Sequence, residues 1–165
     1  MGTLTSISDD FHPIDLVENL AEYHDWDFDR VAVDQIAMAV EGQWRTYSLT
    51  LAWSEQDERL KLICAFDMEP PQDRLLALYQ TMTSAGDTAW SGAFNLWPDQ
   101  KLMVYRYGLN LAGGAEATPE QIADMMQVAI DMCERYYPAF QLVAWGDATP
   151  EEAIKVAIGE TWGRA

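Results

Sequence analysis

Alternating apolar and polar positions in residues 90–111 predict a β-hairpin. Its first run covers residues 93–97, its second covers residues 101–111, and Pro98-Asp99-Gln100 forms the turn between them. In the second run every other residue is apolar, which is the period of a strand with one buried face. The many aromatic and branched residues indicate that this strand packs on at least one side.

Three more strands are predicted upstream of the hairpin by the same alternation. They cover residues 31–41, 44–53 and 59–68, and short polar turns at 41–43 and 54–58 join them. Strands joined by turns this short pair with their neighbours in antiparallel order. We therefore expect a meander of three strands before the hairpin.

Apolar residues at helical spacing predict one helix before the meander and one after it. The first covers residues 13–24 and begins with a proline, which suits the first turn of a helix. The second covers residues 71–85, and Gly86 suits its C-terminal cap. Each helix has an apolar stripe that can pack on the sheet.

Two further helices are predicted after the hairpin. The first begins at Thr118, whose side chain can form a capping box with Gln121, and the last covers residues 150–158. Pro138 should kink or end the first of them. Residues 140–145 fit either a strand or a kinked continuation of that helix, and we favour the continuation because a glycine follows them.

The predicted order of elements, α-βββ-α-ββ-α-α, is typical of an α+β fold with an antiparallel β-sheet flanked by helices. At 165 residues the chain has the size of one ordinary domain. We interpret residues 1–165 as a single domain with a flexible segment at 1–12. The hydrophobic content of 49% is too high for a disordered acidic tail, so a packed core is expected.

The formal net charge of −17 changes the set of expected partners. A surface this acidic repels a phosphate backbone, so we predict no nucleic-acid binding. No apolar run reaches the roughly 18 residues that cross a bilayer, and residues 1–10 do not resemble a signal peptide. We therefore predict a cytoplasmic protein that does not bind membranes. Solubility explains the charge better than attraction to a basic partner does.

Few residues suit metal or redox chemistry. Residues 25–29 alternate carboxylates with aromatic rings, but a calcium loop needs Gly and Glu where this chain has Arg30 and Ile36. We interpret that segment as a solvated acidic loop. Cys64 and Cys133 lie in apolar segments, which favours buried free thiols over a disulfide. The sequence predicts no metal and no cofactor.

No combination of residues in the sequence is typical of an enzyme. The chain has no Gly-x-Ser-x-Gly motif, and its two histidines, His12 and His24, have no second His or Cys at ligand spacing. Gly113 and Gly114 are better explained as a linker than as a phosphate loop, since no Lys-Ser or Lys-Thr pair follows them. We predict that the protein is not an enzyme. Small-molecule binding stays open, because sequence does not reveal pockets.

Several segments are informative when they are taken together. The most specific is RYYPAFQLV at residues 135–143, followed by Trp145-Gly146. The others are Trp90, Phe94, Trp97, Tyr105-Arg106-Tyr107, Glu152-Ala153 and Glu160-Thr161. In this combination, which extends over residues 13–163, the chain resembles the YbjN family of bacterial sensory transduction regulators, in an alphaproteobacterial branch.

The resemblance implies a fold similar to that of type III secretion chaperones, in which helices flank a curved antiparallel sheet and two subunits commonly associate. It implies a non-enzymatic, chaperone-like or regulatory protein-binding module in a bacterial signalling or stress pathway. The alternative is a small-molecule-binding sensor. We expect a homodimer that holds a segment of another protein with residues 71–85 and 90–111. The candidate binding residues are aromatic: Trp90, Phe94, Trp97, Tyr105 and Tyr107.

Overall fold

The computed structural model describes residues 12–163, with side chains described as far as residue 159. One antiparallel sheet of six strands contains β1 (Asp27–Ala32), β2 (Gln35–Glu41), β3 (Thr46–Ser54), β4 (Arg59–Asp67), β5 (Gly92–Trp97) and β6 (Leu102–Asn110). Across the sheet the order is β1-β2-β3-β4-β6-β5. The meander therefore continues into the hairpin through β4 and β6, and β1 and β5 are the two edges.

Four α-helices accompany the sheet in the described part of the chain: α1 (Pro13–Tyr23), α2 (Leu75–Ala85), α3 (Pro119–Trp145) and α4 (Pro150–Gly163). Helix α1 packs against β2 and β3, whereas α3 packs against β4 and β6. Helices α2 and α4 pack against α3 and against each other. The prediction of an α+β fold, with an antiparallel sheet flanked by helices, is confirmed.

The core lies between the helices and the sheet face that they cover. In β3 every second side chain from Tyr47 to Leu51 is fully buried. The predicted apolar face of α3 is also buried, and its Phe140 ring lies 5.0 Å from the Phe94 ring across the interface. Because strand and helix periods both point apolar residues at this interface, one contiguous cluster forms.

The opposite face of the sheet, which we call the open face, carries mostly small and polar residues, with larger apolar ones such as Ile63 and Trp97 in β4 and β5. Side chains on this face include Ala39 in β2, Ser48 in β3 and Arg106 in β6, all exposed. They alternate along each strand with residues of the core, as the strand period requires. The open face is therefore a surface of mostly short side chains that spans several strands.

The prediction of a solvated acidic loop at residues 25–29, followed by one strand over 31–41, is wrong. Residues 27–32 form strand β1, and a tight turn at residues 33 and 34 leads into β2. The acidic segment is an edge strand that pairs Phe28 with Met38. Its exposed carboxylates hide the alternation, and the turn has no Gly or Asn to mark it.

Helix α3 continues through Pro138 as far as Trp145, which identifies residues 140–145 as helix. Proline has no N–H to donate to the carbonyl four residues earlier, which is that of Glu134. That carbonyl accepts a hydrogen bond from the indole Nε1 of Trp44, at 3.1 Å. The β2–β3 turn thus supplies the donor that the proline removes, and the helix does not end there.

Two other predicted element boundaries differ in the structure, and a third is as predicted. Helix α4 extends to Gly163, beyond the predicted end at residue 158. Gly86 does not form a left-handed cap after α2, because it has φ −60° and continues into a short 3-10 turn, Gly86–Thr88. The capping box of Thr118 and Gln121 is present as predicted. The flexible segment predicted at 1–12 lies, apart from residue 12, outside the described residues.

Candidate functional site

The structure separates the five aromatic residues that the sequence proposed for protein binding. Trp90 is 94% exposed, and Trp97 and Tyr107 are half-buried. Phe94 and Tyr105 are buried, with ring centroids 5.1 Å apart. The candidate set thus contains two core residues, two partly covered residues and one fully exposed ring.

The register of the hairpin explains this separation. Phe94 pairs with Tyr105, and both side chains point to the face that the helices cover. Three residues further along β5, Trp97 pairs with Leu102 and points to the open face. Because successive strand residues alternate between faces, Phe94 and Trp97 are placed on opposite sides of one strand.

Trp90 lies in the short loop between the 3-10 turn Gly86–Thr88 and β5. The base of this loop is held by Thr88, whose Oγ1 lies 3.0 Å from the Ala85 carbonyl oxygen and 2.7 Å from the Tyr136 hydroxyl. The backbone N–H of Ala89 donates to the carbonyl of Gly86 at 3.0 Å. An ordered base therefore presents an indole ring that the core does not use.

Strand β5 is an edge strand that lacks the charges and the register shift that oppose pairing. Its sequence, GAFNLW, contains no charged residue, and its register with β6 is regular. The other edge, β1, has the sequence DFDRVA and a register shift between Arg30 and Ala32. Charges and bulges on an edge strand oppose the addition of a further strand. Of the two edges, β5 is therefore the one that can accept an extended segment.

Gly92 allows the start of β5 to lie close to β6. A Cβ at this position would lie 2.7 Å from the Cζ of the Tyr105 ring, and it would also overlap the carbonyl oxygen of Arg106. Only glycine avoids this overlap. The position of β5 therefore depends on a residue directly beside the Trp90 loop.

A depression of about 320 Å³ lies on the open face next to β5. Residues of β4, β5 and β6 line it, among them Lys61, Asn95 and Arg106. Lys61 pairs with Asp57 at 2.7 Å, whereas the guanidinium of Arg106 has no ion-pair partner within residues 12–159. In a chain with a net charge of −17, this is an uncompensated positive group beside the edge strand. We call Trp90, β5 and this depression the β5 surface.

Three titratable side chains of the core, those of Tyr47, Tyr105 and Cys133, have raised pKa values. Burial raises the pKa of Tyr105 to about 12 and also raises the pKa of Tyr47. A hydrogen bond with Cys64, together with burial, raises the pKa of the Cys133 thiol. Both cysteines lie buried, as predicted. A thiol or phenol held in its neutral form is a poor nucleophile.

Within the described part of the chain, no group of three or more His, Cys, Asp or Glu residues has the geometry to hold a metal ion. In the same part, no helix has the length and apolar character to cross a bilayer. What the β5 surface offers is shape, an exposed ring, backbone hydrogen-bonding groups and the guanidinium of Arg106. These features suit binding.

Sequence reasoning missed the contrast between the two edges and the uncompensated guanidinium of Arg106. The contrast was present in the composition of the two strands, DFDRVA against GAFNLW, but it has meaning only when both are known to be edges. Whether Arg106 has an ion-pair partner depends on which carboxylates lie near it in the folded protein, and the sequence does not show which these are.

The fold is similar to that of solved proteins with little sequence identity. One is described as "Crystal structure of YbjN, a putative transcription regulator from E. coli"; it is 10% identical, with a TM-score of 0.52 over 73% of this chain and 85% of that one. Another is the "Structure of the HopA1-SchA Chaperone-Effector Complex", 16% identical, with a TM-score of 0.49 over 78% of this chain and 94% of that one. A comparison with curated protein sequences finds no match.

The family model described as "YbjN: Putative bacterial sensory transduction regulator" matches residues 13–142, which is most of the chain. The match includes the sheet, helices α1 and α2, and the greater part of α3. The chain therefore belongs to the YbjN family.

Proposed function

We propose that this protein is a non-enzymatic binding module, chaperone-like or regulatory, that holds an extended segment of another protein on the β5 surface. The observation that carries the proposal is the 94% exposed Trp90 beside an uncharged edge strand. An edge strand can pair with an extended peptide through its backbone, and a rigid aromatic side chain adds contact area for little lost entropy. The proposed anchors are therefore Trp90 and Trp97.

Electrostatics add a preference for the bound segment. The uncompensated guanidinium of Arg106 lies beside β5, so a carboxylate in the segment would find a partner there. The net charge of −17 opposes nucleic acid as a partner. Phe94 and Tyr105 support the surface from below, because their rings fill the core beneath β5.

We also propose that the protein works as a homodimer in the cytoplasm. The part of the open face on β2 and β3, away from the β5 surface, supports association, since the short side chains there allow two sheets to approach closely. Light scattering coupled to size exclusion measures the mass in solution, and a protein that stays monomeric at cellular and higher concentrations would overturn this part of the proposal.

The binding experiment begins with a photo-crosslinking amino acid at position 90 in the native bacterium. Position 23 is the matched control, because Tyr23 is 82% exposed and precedes the opposite edge strand. We expect a specific protein crosslinked at 90 and absent at 23. Mass spectrometry of the crosslinked peptide then gives the bound segment.

Variants then test the binding mode with the identified segment as a synthetic peptide. Trp90→Ala and Ala93→Lys should each weaken binding about ten-fold or more, because both positions are exposed. Trp90→Ala should leave thermal stability unchanged, whereas a lysine at 93 lies opposite Arg106, so the thermal stability of that variant is measured beside its affinity. The controls are Tyr23→Ala and Ala39→Lys, the latter being an exposed position on the same face but in an interior strand. Equal losses in the control variants, or losses that follow unfolding, would refute the proposed surface.

A further inference from the structure

A groove of about 460 Å³ lies on the other side of the molecule, between the end of α1, the start of β1 and the first turns of α3. Its apolar floor includes Leu20 and Met126, and Trp26 also lines it. Trp26 directly precedes β1, the edge opposite to β5. Five strand spacings separate these edges, roughly 24 Å, so the groove is distinct from the β5 surface.

Two stacked aromatic rings form one wall of the groove. The rings of His24 and Trp26 lie 4.5 Å apart at an interplanar angle of 19°. Asp25 between them has φ 57°, in the left-handed region, and this turn brings the two rings together. The N–H of Trp26 donates to the carbonyl of Ala21 at 2.9 Å, which ties the turn to α1. The wall is therefore preformed.

The charged residues that line the groove are both acidic. Glu120 and Asp124 are exposed, four residues apart on α3, and thus neighbours on one side of that helix. Neither carboxylate has an ion-pair partner among the described side chains. The start of a helix carries about half a positive charge, which is less than the two negative charges placed there. The groove therefore combines an apolar floor, an aromatic face and an uncompensated negative rim.

We propose that this groove, the α1–α3 groove, binds a small organic cation with an aromatic or aliphatic body. A cation over the face of an indole ring is attracted by the ring quadrupole, and nearby carboxylates add to that attraction. The apolar floor takes the body of the ligand out of water. The volume of the groove lies within the range of about 300 to 1,000 Å³ that is usual for small-molecule sites. This site is independent of the protein segment proposed for the β5 surface.

The test uses three probes that share an aromatic body and differ in charge: phenethylammonium, 2-phenylethanol and phenylacetate. Two-dimensional NMR of the full chain follows the indole N–H of Trp26, identified with the variant Trp26→Phe, and the amides of residues 120–127. We expect saturable shifts at these positions with phenethylammonium, at about millimolar affinity for so small a probe. The alcohol and the anion should bind at least five-fold more weakly.

Charge variants decide whether the rim carboxylates are responsible. The double variant Glu120→Gln/Asp124→Asn should weaken phenethylammonium binding about five-fold, and added salt should have a similar effect on the wild type. The matched control is Glu151→Gln/Glu152→Gln, which removes two exposed carboxylates from the first turn of α4. That control should bind as the wild type does. Trp90→Ala should also leave this binding unchanged, which separates the site from the proposed function.

Three results would overturn the proposal. The first is no saturable shift at Trp26 with phenethylammonium in the tens of millimolar. The second is equal binding of all three probes, which would indicate an apolar surface that does not distinguish the charge of the ligand. The third is an equal loss in the α4 control, which would indicate a general effect of net charge. Chemical-shift dispersion of each variant verifies that it is folded.

Discussion

The hydroxyl of Tyr105 is fully buried and has no hydrogen-bond partner among the described residues. Its ring packs on Phe94 and belongs to the core. A buried polar group without a partner has lost its bonds to water and gained nothing in return, which costs about 1 to 3 kcal/mol. At the scale of single residues, this is a place where the native side chain is not the most stable choice.

We therefore predict that Tyr105→Phe raises the free energy of unfolding by about 1 kcal/mol, because the ring stays and the unpaired oxygen goes. Urea denaturation measures the change. Tyr107→Phe is the control, since Tyr107 is only half-buried and its hydroxyl can reach water; it should change stability little. A loss of stability in Tyr105→Phe would mean that the hydroxyl makes a bond after all.

The sequence predicts some residues of the candidate site but not their exposure. It could name the aromatic residues of the hairpin, because composition alone marks them. It could not rank Trp90 above Phe94, since the pattern does not say on which face the helices lie or where the loop leaves the sheet. That Trp90 is 94% exposed and Phe94 is buried is a property of the folded molecule.

At the scale of elements, α3 and the β2–β3 turn depend on each other. The turn approaches the helix closely: the backbone N–H of Gln43 donates to the Glu134 carboxylate, and a Cβ at Gly42 would lie 2.9 Å from its Cδ carbon. Trp44 satisfies the carbonyl that Pro138 leaves free. The helix tolerates its proline because of a turn that lies far earlier in the chain.

This dependence predicts a coupling between Trp44 and Pro138. Trp44→Phe should lower the free energy of unfolding by about 1 kcal/mol in the native background, because it leaves the Glu134 carbonyl without its donor. In a Pro138→Ala background the loss should be smaller, since the backbone N–H that this substitution restores can donate to the carbonyl instead. A double-mutant cycle by urea denaturation measures the difference. Additive effects within about 0.3 kcal/mol would show that the two groups do not share the carbonyl.

Whether an element can be predicted from the sequence depends on how near its stabilising contacts lie in the chain. The capping box of Thr118 and Gln121 was predictable because its two partners lie within one turn of helix. For residues 140–145 the sequence could favour a helix over a strand but not decide between them, because the helix depends on the indole of Trp44, which is distant in the chain. Strand β1 was missed for a related reason: its pairing with β2 is local, but its exposed edge position removes the apolar alternation that identifies strands.

At the scale of the whole molecule, stability should fall at alkaline pH. The pKa of Tyr105 is raised from 10.0 to about 12, so the folded state keeps it neutral where the unfolded state already loses the proton. The resulting stabilisation is fully present below a pH of about 10 and is lost as the pH rises from about 10 to about 12. Tyr47 acts in the same direction, because burial raises its pKa as well.

Thermal melts between neutral pH and a pH of about 12 should therefore show a steeper decline for the wild type than for Tyr105→Phe, since the variant lacks one of these two groups. Tyrosinate absorbance, recorded with the melt, shows whether ionisation and unfolding coincide. If the stability of both proteins declines with the same slope against pH, the ionisation of Tyr105 does not affect the stability of the folded state.

The unequal edges of the sheet limit how this molecule can grow by strand pairing. In polymer chemistry, a monomer with one reactive end adds a single unit and then terminates, whereas one with two reactive ends extends into a chain. β1, with its charges and register shift, is the blocked end, and β5 is the reactive one. A strand that pairs with β5 therefore completes the sheet. In the proposed binding mode, the protein exposes one uncharged edge to a partner without offering the second edge that fibre growth requires.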